Sequence, residues 1–368
     1  MSVPRDGPSL FRGKGATAVR SLSLFTFTLG ASLSAALGLA LLLPTGAAAA
    51  GPGRAGVSIE KVEYRGWKNN LKISNGDAEL IVTLDVGPRV ISYKLAGGAN
   101  ANVFKNWDET MGTSGEPNWV SRGGHRLWTA PEDITRTYAP DNGPVAYKEI
   151  GPGVVRVTQP PDAPYGVQKE MDLALAPTGS KVKVTHRITN VGDKPTTLAI
   201  WSLTVMAPGG FEVILLPPKH PHPGDVKNAK SPADFAADQN YTVWPFTDLA
   251  DPRWHLGSRF ITLSQDPNKG ATKIGMKHRT GGVGYLNGGT LFVKRFACLD
   301  GVHYPDRGVN YETFTNQEML EMESLSPLAT LAPGKAVEHV ETWELFGKLG
   351  NVAAVEDEIA PTIAPKLK

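Results

Sequence analysis

The sequence predicts an all-β chain of many antiparallel strands with few short helices, and three observations predict it. The 40 glycines and 29 prolines make 69 of 368 residues, against roughly 12% in average proteins. With no collagen period and no low-complexity tract, they read as turns between short strands. Stretches such as Lys181-Val-Lys-Val-Thr-His-Arg-Ile-Thr alternate with the period of two that a half-buried strand requires. Helical periodicity is scarce: only 231–237 and 352–359 have room for a short helix. Helical bundles, coiled coils and helical solenoids are thereby excluded. With 41% hydrophobic and 20% charged residues the chain can bury a core and is not disordered.

The first element is of a different composition. Arg5, Arg12, Lys14 and Arg20 precede an uncharged run, 21–43, which Pro44, Thr45, Gly46 and the alanines 47–50 close. A basic start, an apolar centre and an A-x-A end make a secretory signal peptide. Residues 1–50 are therefore expected to be cleaved, leaving 51–368 as a single domain in the periplasm or outside the cell. The alternative is a membrane anchor, because 23 uncharged residues suffice to span a bilayer. The Ser, Thr and Gly that dilute the run favour cleavage. Cys298 is the only cysteine, which excludes a disulfide scaffold, and it lies far from this end, which excludes lipid attachment there. Removing the leader's four basic residues and one acid leaves 34 basic and 35 acidic side chains, a net charge of −1. Such a chain has no electrostatic footprint for nucleic acid, nor for a membrane once the leader is gone.

The mature chain then reads as strand, turn, strand. Leu71-Lys-Ile-Ser, the turn Asn75-Gly-Asp and Ala78-Glu-Leu-Ile-Val-Thr-Leu form a hairpin. Gly87-Pro88 breaks the run and Arg89-Val-Ile-Ser-Tyr-Lys-Leu resumes it. Further strands are expected over 154–158, 167–175, 181–189, 196–206, 260–263, 290–297, 319–323 and 337–346, with Asn190-Val-Gly-Asp-Lys-Pro as a turn. Gly281-Gly-Val-Gly-Tyr-Leu-Asn-Gly-Gly lacks the third glycine of a dinucleotide fingerprint and opens no helix, so it reads as hairpin turns.

Two stretches, 105–145 and 216–258, look irregular and are rich in Trp, Pro, Gly, Asp and His. Long loops on a rigid scaffold are where binding sites usually sit, although they also serve to cover sheet edges. Trp107, Trp119, Trp128, Trp244 and Trp254 fall there, beside Arg122, His125, Arg126, Glu132, Asp251 and Arg253. Sugars bind by laying C–H faces on aromatic rings while fixed polar groups satisfy their hydroxyls. Trp128, Glu132, Arg253 and Trp254 are accordingly candidate substrate contacts. The alternative for each Trp is that it plugs the end of the sandwich. His220-Pro-His222 has metal-like spacing but no third ligand nearby, and its prolines favour an exposed loop. No metal or cofactor is expected. P-loop, HExxH, Gly-x-Ser-x-Gly and CxxC motifs are missing. In Leu320-Glu-Met-Glu-Ser-Leu, strand alternation sets Glu321 and Glu323 on one face and Leu320 and Met322 on the other. Together with Glu312 they are the candidate carboxylates.

Glu321-Met-Glu-Ser-Leu-Ser-Pro-Leu-Ala-Thr-Leu-Ala-Pro-Gly, closing in Glu341-Thr-Trp-Glu-Leu, resembles the last strands of the galactose mutarotase (aldose 1-epimerase) superfamily. The strand–turn–strand over 182–205, with its Asn190 turn, resembles the middle of that fold. Gly123-Gly-His-Arg-Leu-Trp-Thr-Ala-Pro-Glu, Tyr138-Ala-Pro-Asp-Asn, Thr247-Asp-Leu-Ala-Asp-Pro-Arg-Trp and Phe292-Val-Lys-Arg-Phe are closer to an uncharacterised exported branch of it. The resemblance covers about 57–347. It implies a β-supersandwich with a sugar site on one concave face, where a glutamate and a histidine exchange protons with the anomeric hydroxyl and the ring oxygen. Glu321 matches the glutamate. Trp201 stands near the place of the histidine; Trp cannot supply an acidic proton but can stack or hydrogen-bond, which makes it a candidate substrate contact, and His125 is the candidate to substitute. Two readings stay open on these grounds. One is an exported carbohydrate-binding protein of this fold with room for cofactor-independent aldose epimerase or mutarotase activity, Glu321 and His125 being the catalytic candidates. The other is a non-catalytic sugar-binding module of polysaccharide use. The expected partner in both is a carbohydrate, either a monosaccharide or a glycan end. Third and lower stands a structural sandwich with an inert pocket.

Overall fold

The computed structural model describes residues 56–97, 101–162 and 164–368. The leader, 1–50, lies outside them, so its cleavage remains an expectation. The chain runs through β1 (Ser58–Tyr64), β2 (Trp67–Ser74), β3 (Ala78–Thr83), β4 (Arg89–Leu95), β5 (His125–Ala130), β6 (Ala146–Gly151) and β7 (Val154–Thr158). It continues through β8 (Val167–Leu175), β9 (Val182–Asn190), β10 (Thr196–Met206), β11 (Phe211–Leu215), β12 (Tyr241–Val243), β13 (Trp254–Leu256) and β14 (Phe260–Ser264). The last strands are β15 (Thr272–Met276), β16 (Gly282–Asn287), β17 (Thr290–Phe296), β18 (Tyr311–Thr315), β19 (Leu320–Leu325), β20 (Ala329–Leu331) and β21 (Ala336–Phe346).

Among the described residues these strands form two antiparallel sheets. The first has eleven strands in the order β1-β2-β3-β4-β5-β10-β19-β18-β15-β12, with β20 also paired to β10. The second has ten in the order β13-β14-β11-β16-β17-β21-β9-β8-β7-β6. Apolar residues from both sheets, among them Leu127 and Met322 of the first and Met171 and Phe292 of the second, join one core cluster between them. The fold is a β-sandwich, as expected. The Asn75 turn fastens its rim: Asn75 Nδ2 donates to Ala176 O and Gly179 O of the β8–β9 turn, both at 2.8 Å.

Burial follows function along these strands. β9 alternates strictly between buried and less buried residues, as a strand with one wet face does. In β10 every residue from Leu198 to Met206 is buried. One of its faces meets the core and the other is roofed by loops. β5, Leu320–Leu325 of β19 and most of β18 are buried on both faces for the same reason.

Two expectations need correction. The glycine-rich run 281–289 is mostly strand β16, with turn residues only at Gly288 and Gly289. Its glycines make room for the C-terminus: a Cβ on Gly284 would lie 2.8 Å from Leu367 Cδ2. Of the two expected helices, the first is a single 3₁₀ turn, Pro232–Phe235, and the second is the α-helix Glu356–Thr362. Among the described residues no helix is long and apolar enough to cross a membrane.

Candidate functional site

Strand parity builds the site. Leu198 and Ile200 of β10, Leu320 and Met322 of β19, and Leu127 of β5 join the core between the sheets. Their neighbours Trp201, Leu203, Glu321, Glu323, Arg126 and Trp128 therefore share the outer face of the first sheet. Register brings them together. Trp201 pairs with Trp128, Leu203 lies between Arg126 and Glu323, and Glu323 pairs with Glu312. Glu321 and Lys273 both pair with Phe314. This patch floors a cavity of about 590 Å³. Its walls include Trp107, Trp119, Glu132, Tyr138, Trp244 and Phe246, all from loops.

The walls are tied down by polar residues behind them. Arg122, fully buried, donates to Asn142 Oδ1 and to the Glu116 carboxylate. Asn142 Nδ2 in turn donates to the carbonyls of Glu116 (3.0 Å) and Asn118 (2.6 Å). These bonds fix the segment that lays Trp119 against Trp128, with ring centroids 5.1 Å apart. Tyr138 lies 5.0 Å from Trp128 and donates its hydroxyl to Glu132 Oε1 at 2.6 Å.

Two cations lie among these rings. The Arg126 guanidinium stacks over Trp128 at 4.2 Å and donates to Glu321 Oε1 at 2.8 Å. The Lys273 ammonium lies 4.8 Å from the Trp201 ring and 4.7 Å from that of Trp244. It contacts Glu312 Oε2 at 2.7 Å and Glu323 Oε2 at 2.8 Å, and Trp201 Nε1 donates to the same Glu323 oxygen at 2.9 Å. Burial raises the Glu312 carboxyl well above its ordinary range; Lys273 opposes this and the Glu323 charge adds to it. Glu323 is raised too, again by burial first, with Lys273 opposing. Burial alone would lower Lys273, but the two glutamates outweigh it and hold the ammonium charged. One ammonium between two buried carboxylates leaves an uncompensated negative charge unless one carboxyl keeps a proton. Burial and the repulsion between the two carboxylates thus favour the protonated form of this pair, and Lys273 opposes them.

Of the residues singled out in the sequence, Glu321, Glu323, Trp128, Trp201 and Glu132 line the cavity, and Glu312 stands behind them through Lys273. Three others lie elsewhere. His125 is on β5 with the parity of Leu127, so it points between the sheets, fully buried, away from Glu321. Arg253 is spent on Asp251 Oδ2 (2.8 Å) and Gly270 O (2.6 Å). Trp254 belongs to the core cluster and donates Nε1 to Thr272 Oγ1 at 2.9 Å, so it is a plug. His220 and His222 are exposed, as expected for that loop. Lys273 escaped notice in the sequence: its strand is five residues long and its partners are 39 and 50 positions away.

His125 instead joins a polar network between the sheets. Its Nε2 lies 2.7 Å from His186 Nε2 and its Nδ1 2.8 Å from Thr204 Oγ1. His125, His186 and Glu341 bring three donor atoms within 4.8 Å of one another. Glu341 is already saturated, however. Its Oε1 takes Ser202 (2.8 Å), Ser324 and Lys294 (3.0 Å), and its Oε2 takes Trp343 Nε1 (2.7 Å). The Lys294 ammonium supplies the positive charge that a metal would otherwise bring, so the donor set fits a hydrogen-bonded network better than a metal.

A pH dependence follows from these buried groups. Burial holds His125, His186, His278 and His339 below their ordinary value, His278 at about 4 and His339 at about 3. The unfolded chain takes up their protons below about pH 6.5 and the folded chain does not, so stability falls as pH drops. Glu212, pushed up to about 7 by burial, and Glu312 and Glu323 act in the opposite sense. The folded chain holds their protons where the unfolded chain has lost them. Below about pH 4.3 that offset disappears, and the depressed carboxyls of Glu341 and Asp141 add to the loss. Urea titrations at stepped pH are expected to show a shallow decline from pH 7 to 5 and a steep one below about 4.3, at about 1.4 kcal/mol per pH unit for each excess proton. An equally steep fall between pH 6.5 and 5 would mean that the three raised carboxyls are ionised in the folded chain.

No protein-family profile matches the sequence, and no curated protein is similar to it. Solved structures are similar in fold. A TPR-domain containing protein from Parabacteroides distasonis superposes with a TM-score of 0.50 at 14% identity, over 78% of this chain and 49% of that one. This chain thus spans about half the length of that relative. A galactose mutarotase-like protein from Lactobacillus casei superposes with a TM-score of 0.51 at 11% identity, over 76% of this chain and all of that one. By fold, the chain is a galactose mutarotase-like β-sandwich.

Proposed function

We propose that this chain is an exported protein that binds a carbohydrate in the outer-face cavity and interconverts its anomers without a cofactor. The carrying observation is the cavity itself: indole walls over a floor of carboxylates held by Arg126 and Lys273. Such a surface suits the alternating C–H faces and hydroxyls of a pyranose. In this reading Glu321 takes the proton of the anomeric hydroxyl as the bond from the anomeric carbon to the ring oxygen breaks. Glu323, whose carboxyl burial raises, protonates the ring oxygen. The open-chain aldehyde turns, and the reverse steps close the other anomer. Trp201 is then a positioning residue, holding Glu323 through its indole N–H.

Non-catalytic binding is the second reading, and one observation favours it: Glu323 Oε2 already accepts from both Trp201 and Lys273. Titration of the mature chain with a panel of saccharides, followed by Trp fluorescence and by exchange NMR, separates the two. Trp244→Ala removes a half-buried wall and is expected to weaken saccharide binding by about 1–2 kcal/mol, roughly 5–30-fold. Unchanged affinity would place the sugar elsewhere. Trp128 is a poorer probe, because at 4% exposure it is also part of the packing.

A further inference from the structure

Next to the cavity lies a second hollow of about 590 Å³, and Trp107, Glu109 and Glu318 border both. The remaining lining of the second hollow includes Lys105, Gln265 and Pro267. The divide is a fixed piece of structure. Trp107 Nε1 donates to Glu318 Oε2 at 2.7 Å, and Lys105 Nζ lies 5.6 Å from the Trp107 ring. Glu318 is held in turn, because Asn316 Oδ1 accepts from the backbone N–H groups of Glu318 (2.8 Å) and Met319 (3.1 Å). Gln265, buried beneath, donates to Gln317 O at 2.9 Å and accepts from Gly209 N–H at 2.9 Å. The two hollows therefore meet at an indole flanked by carboxylates, the same chemistry as the first cavity.

We infer that the site takes an oligosaccharide rather than a single sugar, with one unit over Glu321 and Glu323 and the next across Trp107 in the second hollow. This rests on the carbohydrate reading above and fixes the size of its ligand. Either hollow is within the range that holds a whole drug-sized ligand, and a hexose is only part of one. A single sugar in the first cavity leaves the second hollow to water.

The test is calorimetric titration of the mature chain with gluco-, galacto- and manno-configured saccharides of one to four units. Affinity is expected to rise on the order of ten-fold from one unit to two or three, as one further aromatic contact supplies. Pro267→Trp, which fills only the second hollow, is expected to abolish that gain and leave monosaccharide affinity unchanged. Trp107→Ala is expected to weaken the longer ligands more than the monosaccharide. Equal affinity at all lengths, or a gain that survives Pro267→Trp, overturns the inference and leaves the carbohydrate reading standing. Failure of every saccharide of any length to bind overturns both.

Discussion

Glu321→Gln is expected to slow anomerisation by about 10²–10⁴-fold, the usual contribution of one positioned base, while saccharide affinity changes little. The substitution is nearly isosteric. The amide oxygen of Gln can still accept from Arg126 Nη1, which now lies 2.8 Å from Glu321 Oε1. The guanidinium therefore stays over Trp128 and the floor keeps its shape. What is lost is the capacity to take a proton. Polarimetry or exchange NMR on a panel of aldoses, with wild type and variant, measures the effect. A wild type that binds a sugar but accelerates none supports the non-catalytic reading. A variant as active as wild type moves the base to Glu312 or Glu323, the paired carboxylates beside it.

The largest effect on stability is expected at Lys294. Its ammonium and the Glu341 carboxylate are both fully buried, 3.0 Å apart, and Lys294 also donates to Met322 O at 2.9 Å. Burial lowers the Lys294 ammonium and Glu341 opposes that, while Lys294 is the main charge that holds Glu341 well below the carboxylate range. Lys294→Met keeps the length and apolar stem but strands a carboxylate between the sheets. The expected cost is about 3–5 kcal/mol, as for other broken buried pairs, read from urea unfolding at neutral pH. Adding Glu341→Gln to this variant removes the stranded charge and is expected to recover part of the loss. A cost below about 1 kcal/mol for Lys294→Met would mean that the pair contributes no more than a surface ion pair.

The sequence showed the sandwich wherever a strand had one wet face or a sharp turn. β9 is legible by its alternation and the β2–β3 hairpin by Asn75-Gly-Asp. β5 was hidden inside an apparently irregular stretch, because His-Arg-Leu-Trp-Thr-Ala is buried on both faces and shows no alternation. That one missed strand explains the misplaced histidine. Without a register for β5, nothing in the sequence sets His125 and Arg126 on opposite faces or shows that His125 is the inward one. Glu321 and Glu323 were legible because Leu320 and Met322 mark the other face of their strand. Lys273, Tyr138 and Glu318 enter the site through distant pairings and loop geometry that local pattern does not encode.

β10 and β19 are shared property: one set of alternate residues belongs to the core and the other to the cavity. A deletion or insertion of one residue within either strand would exchange the two sets at once. It would put Met322 where Glu323 stands and a carboxylate against the core. No later point substitution could repair both faces together. Length changes can therefore accumulate in the wall-bearing loops but not in these two strands. Substitutions in the walls can reshape the cavity while the spacing of its floor stays fixed.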